Sequence, residues 1–391
     1  IEHPSKPTVD GWGVPVRELL EGRDDRHIIV TASADVQVER ELDGAGVSTD
    51  SFDTQPILPE KFRDYIFSLY PKLETDQHRL SPTSLRRSEK SLPTALQTGD
   101  IDPLVDELQS KYADVEAHAR QIQSQVVDYL AMGGTISYGQ NAIVESASTL
   151  DDDAYARLRA DVRHSLYQEV PGFETIQTIA DLERLCALAA RNAAADAFRY
   201  QDLVDLFDVD RRTLTESCLS ALESLYLLTG ETEYDNSRPR SIRLYLRDTG
   251  LVNALSGQPA TEALDDFDRE ADLARVAAFD HTMRFAYNLN ALHGRDGTPR
   301  VQYWRGRQGE VDFVFEVDET PVPIAMAYHA REHEPSLDAT REFMNSYDTP
   351  VGFVLVGDTV SGAGTVKTLD DGVIQLPYWL YLMLCCSRFL A

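Results

Sequence analysis

Lysine is scarce in this chain, with six residues against 31 arginines, and positive charge is outweighed throughout: the formal net charge is −28. Self-repulsion on that scale is costly at low ionic strength, but at molar salt the Debye length shrinks to about 3 Å and the repulsion is largely screened. An acidic, lysine-poor surface is what a salt-in cytoplasm favours. Acidic residues run along the whole length, which argues against a dedicated acidic tail. They also argue against broad electrostatic binding of nucleic acid, leaving only a local arginine patch for that role. Cysteine is nearly absent. Cys186, Cys218, Cys385 and Cys386 form no C-x-x-C pair and no metal spacing, so they read as small buried hydrophobes in a reducing compartment. No stretch reaches the roughly 18 uninterrupted apolar residues of a membrane span. The nearest approach, Val373 to Cys386, contains Gln375 and Pro377. A secretory signal pattern is also missing, as are G-x-x-x-x-G-K-[ST], G-x-G-x-x-G and internal repeats. A cytoplasmic protein without a membrane partner is expected.

What is present is globular: 391 residues, 42% of them hydrophobic, enough for two or three domains at roughly 100–200 residues each. Val14 to Leu20 reads as a helix. His27 to Thr31 is a β-branched run fit for a buried parallel strand, ending in the small hydroxyl residues Thr31 and Ser33. Gly44 to Gln55 is a polar loop, and a helix opens near Pro59 with Phe62, Ile66 and Leu69 on one face. Ile101 to Met132 carries a helical apolar pattern that Gly133 and Gly134 stop. Residues 150–197 are helical.

Residues 196–256 hold a compact order: helix Tyr200–Phe207, a turn at Asp208–Asp210, helix Arg211–Leu225, strand Tyr226–Tyr234, a turn at Asp235–Pro239 and strand Ile242–Leu246. That order is a winged helix, whose second helix would read DNA. Arg211, Arg212 and Thr213 open that helix, and Arg238, Arg240 and Arg243 lie in or beside the wing; these six are the candidate DNA-binding residues. Asp202, Asp205, Asp208, Asp210, Glu216 and Glu223 surround the same surface, and winged helices also serve as packing modules, so the two roles stand level. An acidic linker, Glu262 to Asp272, marks a boundary. Beyond it a helix (Leu273–Leu289) and strands at Val301–Trp304, Glu310–Glu316, Val322–Ala327 and Gly352–Val356 make a small mixed sheet.

Five stretches in order, 58–65 (LPEKFRDY), 128–134 (DYLAMGG), 246–251 (LRDTGL), 303–305 (YWR) and 309–313 (GEVDF), resemble a family of archaeal and bacterial AAA-type ATPases. That family carries a winged helix and a C-terminal domain of unknown function related to restriction-endonuclease folds. The resemblance implies a multidomain α/β protein: the C-terminal remnant of a P-loop ATPase core (1–70), a helical lid and connecting region (71–195), the winged helix (196–256) and a nuclease-like α/β domain (257–391). It implies that the chain begins just after the Asp-Glu of Walker B, with Ile1-Glu2-His3 following that pair, Trp12 matching the family's tryptophan, and Thr31 and Ser33 matching a sensor that contacts the γ-phosphate or its water. Phosphoryl transfer by this class needs a P-loop and an acidic pair around Mg2+. ATP and Mg2+ are therefore expected only for a longer form, with no cofactor and no hydrolysis for this chain. Where the family has an arginine acting across subunits, Arg40 and Arg63 are the substitutes, and Arg63 fits a helix-surface ion pair equally well.

In nucleases of the related fold an aspartate on one strand and a Glu-x-Lys on the next bind a metal and activate water. Asp312, after Glu310, fits the first position. The next strand reads Pro323-Ile-Ala-Met-Ala-Tyr328, so the resemblance puts Ala325 and Ala327 where the carboxylate and lysine belong. Glu310, Asp280 and His329 are groups from which a site could be rebuilt, and solvated carboxylates are the commoner outcome. No metal is expected, and the domain reads as an inactive scaffold or partner surface. The rival readings are a stand-alone winged-helix DNA-binding regulator and a decaying inactive remnant; DNA, a protein partner and self-association are the partners to consider.

Overall fold

The computed structural model describes residues 11–22, 35–48, 58–70, 91–139, 152–169, 179–193, 195–259, 266–292, 299–369 and 371–385. The fold is mixed α/β with two sheets. Helices α1 (Gly13–Gly22) and α2 (Asp35–Gly44) pack on each other around Trp12, Val16, Leu42, Ala45 and Val47, a cluster separate from the main core.

A helical layer follows: α3 (Phe62–Leu69), α4 (91–98), α5 (Asp102–Val115), α6 (Ala119–Gly139), α7 (Asp152–Glu169) and α8 (Ile179–Asn192). Pro59 precedes α3 rather than sitting in its first turn. Gly133 does not end α6 but breaks its direction, at φ 66° and ψ 174°, with helical turns on both sides. The apolar residues that make the pattern over 101–132, Leu104, Leu108, Val115, Ile122, Val126 and Leu130 among them, are buried.

Next come β1 (Phe198–Arg199), α9 (Tyr200–Phe207), α10 (211–224), β2 (Leu228–Glu231) and β3 (Ser241–Leu246). This is a helix–turn–helix followed by a hairpin, with β3 pairing antiparallel to both β1 and β2. The turn works because Asp208 adopts a left-handed conformation, φ 52°, which an aspartate tolerates. Helix α10 is π-helical over Thr213–Leu219. The Thr215 hydroxyl bonds the carbonyls of Arg211 and Arg212 at 3.0 and 3.3 Å, competing with the backbone ladder where it widens.

Helix α11 (Thr249–Ser256) begins at an Asp248 cap and leads to α12 (Phe267–Leu292). The acidic stretch read as a linker thus already belongs to α12 from Phe267 onward. The six-stranded sheet is β4 (Gln302–Arg305), β5 (Glu310–Val317), β6 (Thr320–Ala327), β7 (Gly352–Val356), β9 (Val373–Pro377) and β8 (Lys367–Thr368), in that spatial order. β4, β5 and β6 are antiparallel neighbours, while β7 runs parallel to β6 and to β9. One face packs on α12 in the main core. The other packs on α13 (His333–Tyr347), where Ala325, Ala327, Leu337, Met344, Val354 and Val356 form a second cluster. The most apolar run is therefore split into β9 and α14 (Tyr378–Leu384), with Pro377 preceding the helix. No helix among the described residues is long and apolar enough to cross a membrane.

Candidate functional site

One surface and three buried junctions hold the residues with chemical potential. The surface is the start of α10. Asp210 caps it, accepting from Thr213 N at 2.9 Å and from the Thr213 hydroxyl at 3.1 Å, and these bonds hold the Asp210 carboxyl below its ordinary range. Arg211 lies over the Tyr200 ring at 3.9 Å and donates to the Pro239 carbonyl at 2.8 Å. That bond brings the helix start against the hairpin turn, where Arg238 and Arg240 are exposed. Arg212 is paired with Glu216 at 2.6 Å across one helical turn, an exposed bridge that solvent and salt screen and that a phosphate can therefore replace. Arg199 joins the same patch. It precedes α9, pairs in register with Ser241 and is bridged to Asp202 at 2.8 Å. Sequence reasoning passed it over because only the β1–β3 pairing carries it to the wing. Arg211, Arg238 and Arg240 have no ion pair among the described residues.

Arg243 is not part of that surface, contrary to expectation. It is 3% exposed, paired with Glu310 of β5 and lying 4.6 Å over the Tyr303 ring of β4. Glu231 of β2, fully buried, stands 4.0 Å from the same guanidinium. Burial pushes the Glu231 carboxyl well up. Burial works the same way on Glu310, but Arg243 and Arg305 overcome it and hold that carboxyl low. The hairpin is thereby joined to the sheet edge. Tyr234 N donates to Tyr303 O at 2.7 Å, Tyr303 N to Thr232 O at 3.3 Å, and the Tyr234 hydroxyl to Glu316 at 2.9 Å.

The nuclease-like constellation is dispersed. Asp312 is 6% exposed and accepts from Arg275 Nε of α12 at 2.8 Å and from Met326 N at 2.7 Å. The β5–β6 ladder stops at Phe313↔Ile324, so the Asp312 carboxylate takes the place of a backbone acceptor for the next strand's amide. Ala325 and Ala327 are fully buried among apolar side chains. Glu310 serves Arg243 and Arg305, Asp280 serves Arg247 and Arg284, and buried His329 stacks on Phe267 at 3.9 Å. The expectation of solvated carboxylates is corrected as well: these groups are paired with arginine. Among the described residues no group of three or more His, Cys, Asp or Glu is arranged to hold a metal.

The third junction centres on Asp248. Its carboxylate accepts from Gly134 N at 2.6 Å, Thr135 N at 3.2 Å and Leu251 N at 3.1 Å. A Cβ on Gly133 would collide with that carboxylate, and one on Gly134 with the Glu60 carbonyl, so only glycine fits either place. The Tyr129 hydroxyl and Arg284 reach the carbonyls of Glu60 and Pro59, both at 2.9 Å. Phe62 N donates to His281 Nε2 at 3.3 Å, while His281 Nδ1 lies 2.8 Å from Ala277 O. The ring is thus neutral with its proton on Nδ1, and burial lowers its pKa to about 3. Burial alone would raise the Asp280 carboxyl, yet Arg284 and Arg247 hold it below its ordinary value. Three stretches far apart in sequence, 58–62, 128–135 and 247–251, meet here.

Thr31 and Ser33 lie outside the described residues, as does the side chain of Arg40 on α2. Arg63, read as a helix-surface or intersubunit group, is buried at 2% exposure with Asp64 at 3.7 Å. A family model described as a domain of unknown function (DUF8612) matches residues 142–262. That span takes in α7, α8, the helix–turn–helix, the hairpin and α11. No curated protein and no solved structure matches the chain.

Proposed function

We propose that this chain is the partner-engaging, non-hydrolytic portion of an AAA-type ATPase, in which a winged helix holds duplex DNA and a degenerate restriction-endonuclease-like domain acts as scaffold. The observation that carries the DNA reading is the bond from Arg211 to the Pro239 carbonyl at 2.8 Å. It gathers Arg211, Arg212, Arg238 and Arg240 into one exposed patch on an otherwise acidic protein, the local arginine concentration that phosphate binding requires. Thr213 contributes by donating its amide and hydroxyl to the capping carboxylate of Asp210 rather than by facing a base. The kinship with ATPases is supported by the meeting of three of the family-like stretches at Asp248. ATP and Mg2+ enter only with P-loop and Walker B residues, which these 391 residues do not contain. A reducing, salt-rich cytoplasm fits the free thiols of Cys186, Cys218 and Cys385 and the charge of −28.

The test is fluorescence anisotropy with a labelled duplex across a KCl series. Binding is expected to weaken steeply with salt, and Arg211→Ala/Arg212→Ala to lose about two phosphate contacts from the slope. Unchanged binding in that variant sinks the DNA reading. A phosphate-release assay is expected to show no ATP turnover by this chain; turnover would refute the non-hydrolytic assignment.

A further inference from the structure

We propose that Arg243 and Tyr234 clasp the wing to the six-stranded sheet and so fix Arg238 and Arg240 against the start of α10, making the C-terminal sheet the backing of the DNA-contacting surface; this rests on the DNA reading above. The hairpin turn divides into two halves with different duties. Residues 232–236 are held by the sheet domain. Their backbone exchanges hydrogen bonds with Tyr303, Gln302 reaches Thr232 Oγ1 and Glu233 O at 3.3 Å, and Tyr234 packs against Phe343 and Tyr347 with centroids 5.7 and 5.3 Å away. Residues 238–240 face outward and receive Arg211. Asn236 joins the halves, donating to Glu233 and accepting from Arg238 N at 3.1 Å. A continuous chain of bonds thus runs from β4 through the clasped half of the turn to the guanidinium at the helix start.

Arg243 sits at the root of this chain. It lies on β3, three residues beyond Arg240, and bonds Glu310 while covering the Tyr303 ring. At 3% exposure it cannot touch a ligand outside. It is a positioning residue. Without it, the fully buried Glu231 carboxyl loses the guanidinium 4.0 Å away and Glu310 keeps only Arg305 among the described residues, and a buried seam left with a carboxyl and no partner for it is weakened. A wing freed in this way carries Arg238 and Arg240 on a mobile loop, and their phosphate contacts are lost.

The experiment compares salt slopes. Each phosphate contact to duplex DNA contributes roughly 0.9 to the slope of log affinity against log salt. Arg238→Ala/Arg240→Ala is expected to lower the slope by about two contacts. Arg243→Gln is expected to lower it by the same amount although Arg243 is buried, to add nothing when combined with Arg238→Ala/Arg240→Ala, and to be partly rescued by Arg243→Lys. Tyr234→Ala, at a half-buried position, supplies a second variant should Arg243→Gln not fold. An unchanged slope in Arg243→Gln or Tyr234→Ala, or an additive loss, overturns the clasp while leaving DNA binding intact. If the parent protein binds no duplex, the DNA reading fails by itself. The clasp is then decided by hydrogen exchange at the amides of 232–236, where exchange that is no faster in Arg243→Gln or Tyr234→Ala overturns it.

Discussion

Asp248 shows two effects of opposite sign meeting at one carboxylate. Burial raises its pKa to about 6, even though the amides of Gly134, Leu251 and Thr135 pull it down. A carboxyl whose folded pKa exceeds its unfolded value near 4 contributes stability below that unfolded value, and loses it as pH rises through about 6. Asp248→Asn removes this titration and turns an amide donor toward backbone donors, at a cost of about 1–3 kcal/mol. The expected result in urea unfolding is that the variant's penalty is largest at pH 4 and shrinks toward pH 7. A penalty that grows with pH would mean that the amide bonds prevail over burial. Arg275 makes the complementary point. Its guanidinium occupies Asp312 at 2.8 Å, so an internal cation neutralises the carboxylate that the nuclease resemblance assigns to a metal.

At the scale of elements, alternation and turn chemistry made the helix–turn–helix legible, because Asp208 and Asp210 break the pattern between two amphipathic helices. The hairpin was legible in outline only. The sequence reads Tyr226–Tyr234 as one strand, whereas Tyr226 has a left-handed φ of 53° and β2 spans only Leu228–Glu231. Residues 232–234 leave β3 and turn to Tyr303 instead. That choice depends on a partner some seventy positions away, as does the burial of Arg243 through Glu310, and local pattern carries no record of either. The same reason hid the arginines of the Asp248 junction: Arg247 and Arg284 look like ordinary surface charges until Asp280, separately paired with each, is seen between them. By contrast, LPEKF, DYLAMGG and LRDTGL could be singled out as unusual, but only the fold shows that they touch.

For the whole molecule the dominant quantity is the net charge of −28. The interior is arranged in compensated pairs, Arg243 with Glu310, Arg247 and Arg284 with Asp280, and Arg275 with Asp312, so the excess negative charge is concentrated outside. Screening then acts on the surface far more than on the core. Raising KCl from 0.1 M to 1 M shortens the Debye length from about 10 to 3 Å, and unfolding free energy is expected to rise most over that interval and to flatten beyond it. A denaturation series in KCl checks this; stability that falls with salt would place the critical charges inside the pairs.

The covering of β4 by the hairpin matters beyond any ligand. A sheet ends where its outermost strand has unspent amides and carbonyls, and such a margin recruits strands from other chains. Here one margin is closed by residues 232–234, and the other is β8, two residues long and bearing Lys367. Lifting the hairpin would uncover the longer margin, so the turn that carries exposed Arg238 and Arg240 on its outer side is also what keeps the sheet from finding a neighbour of its own kind.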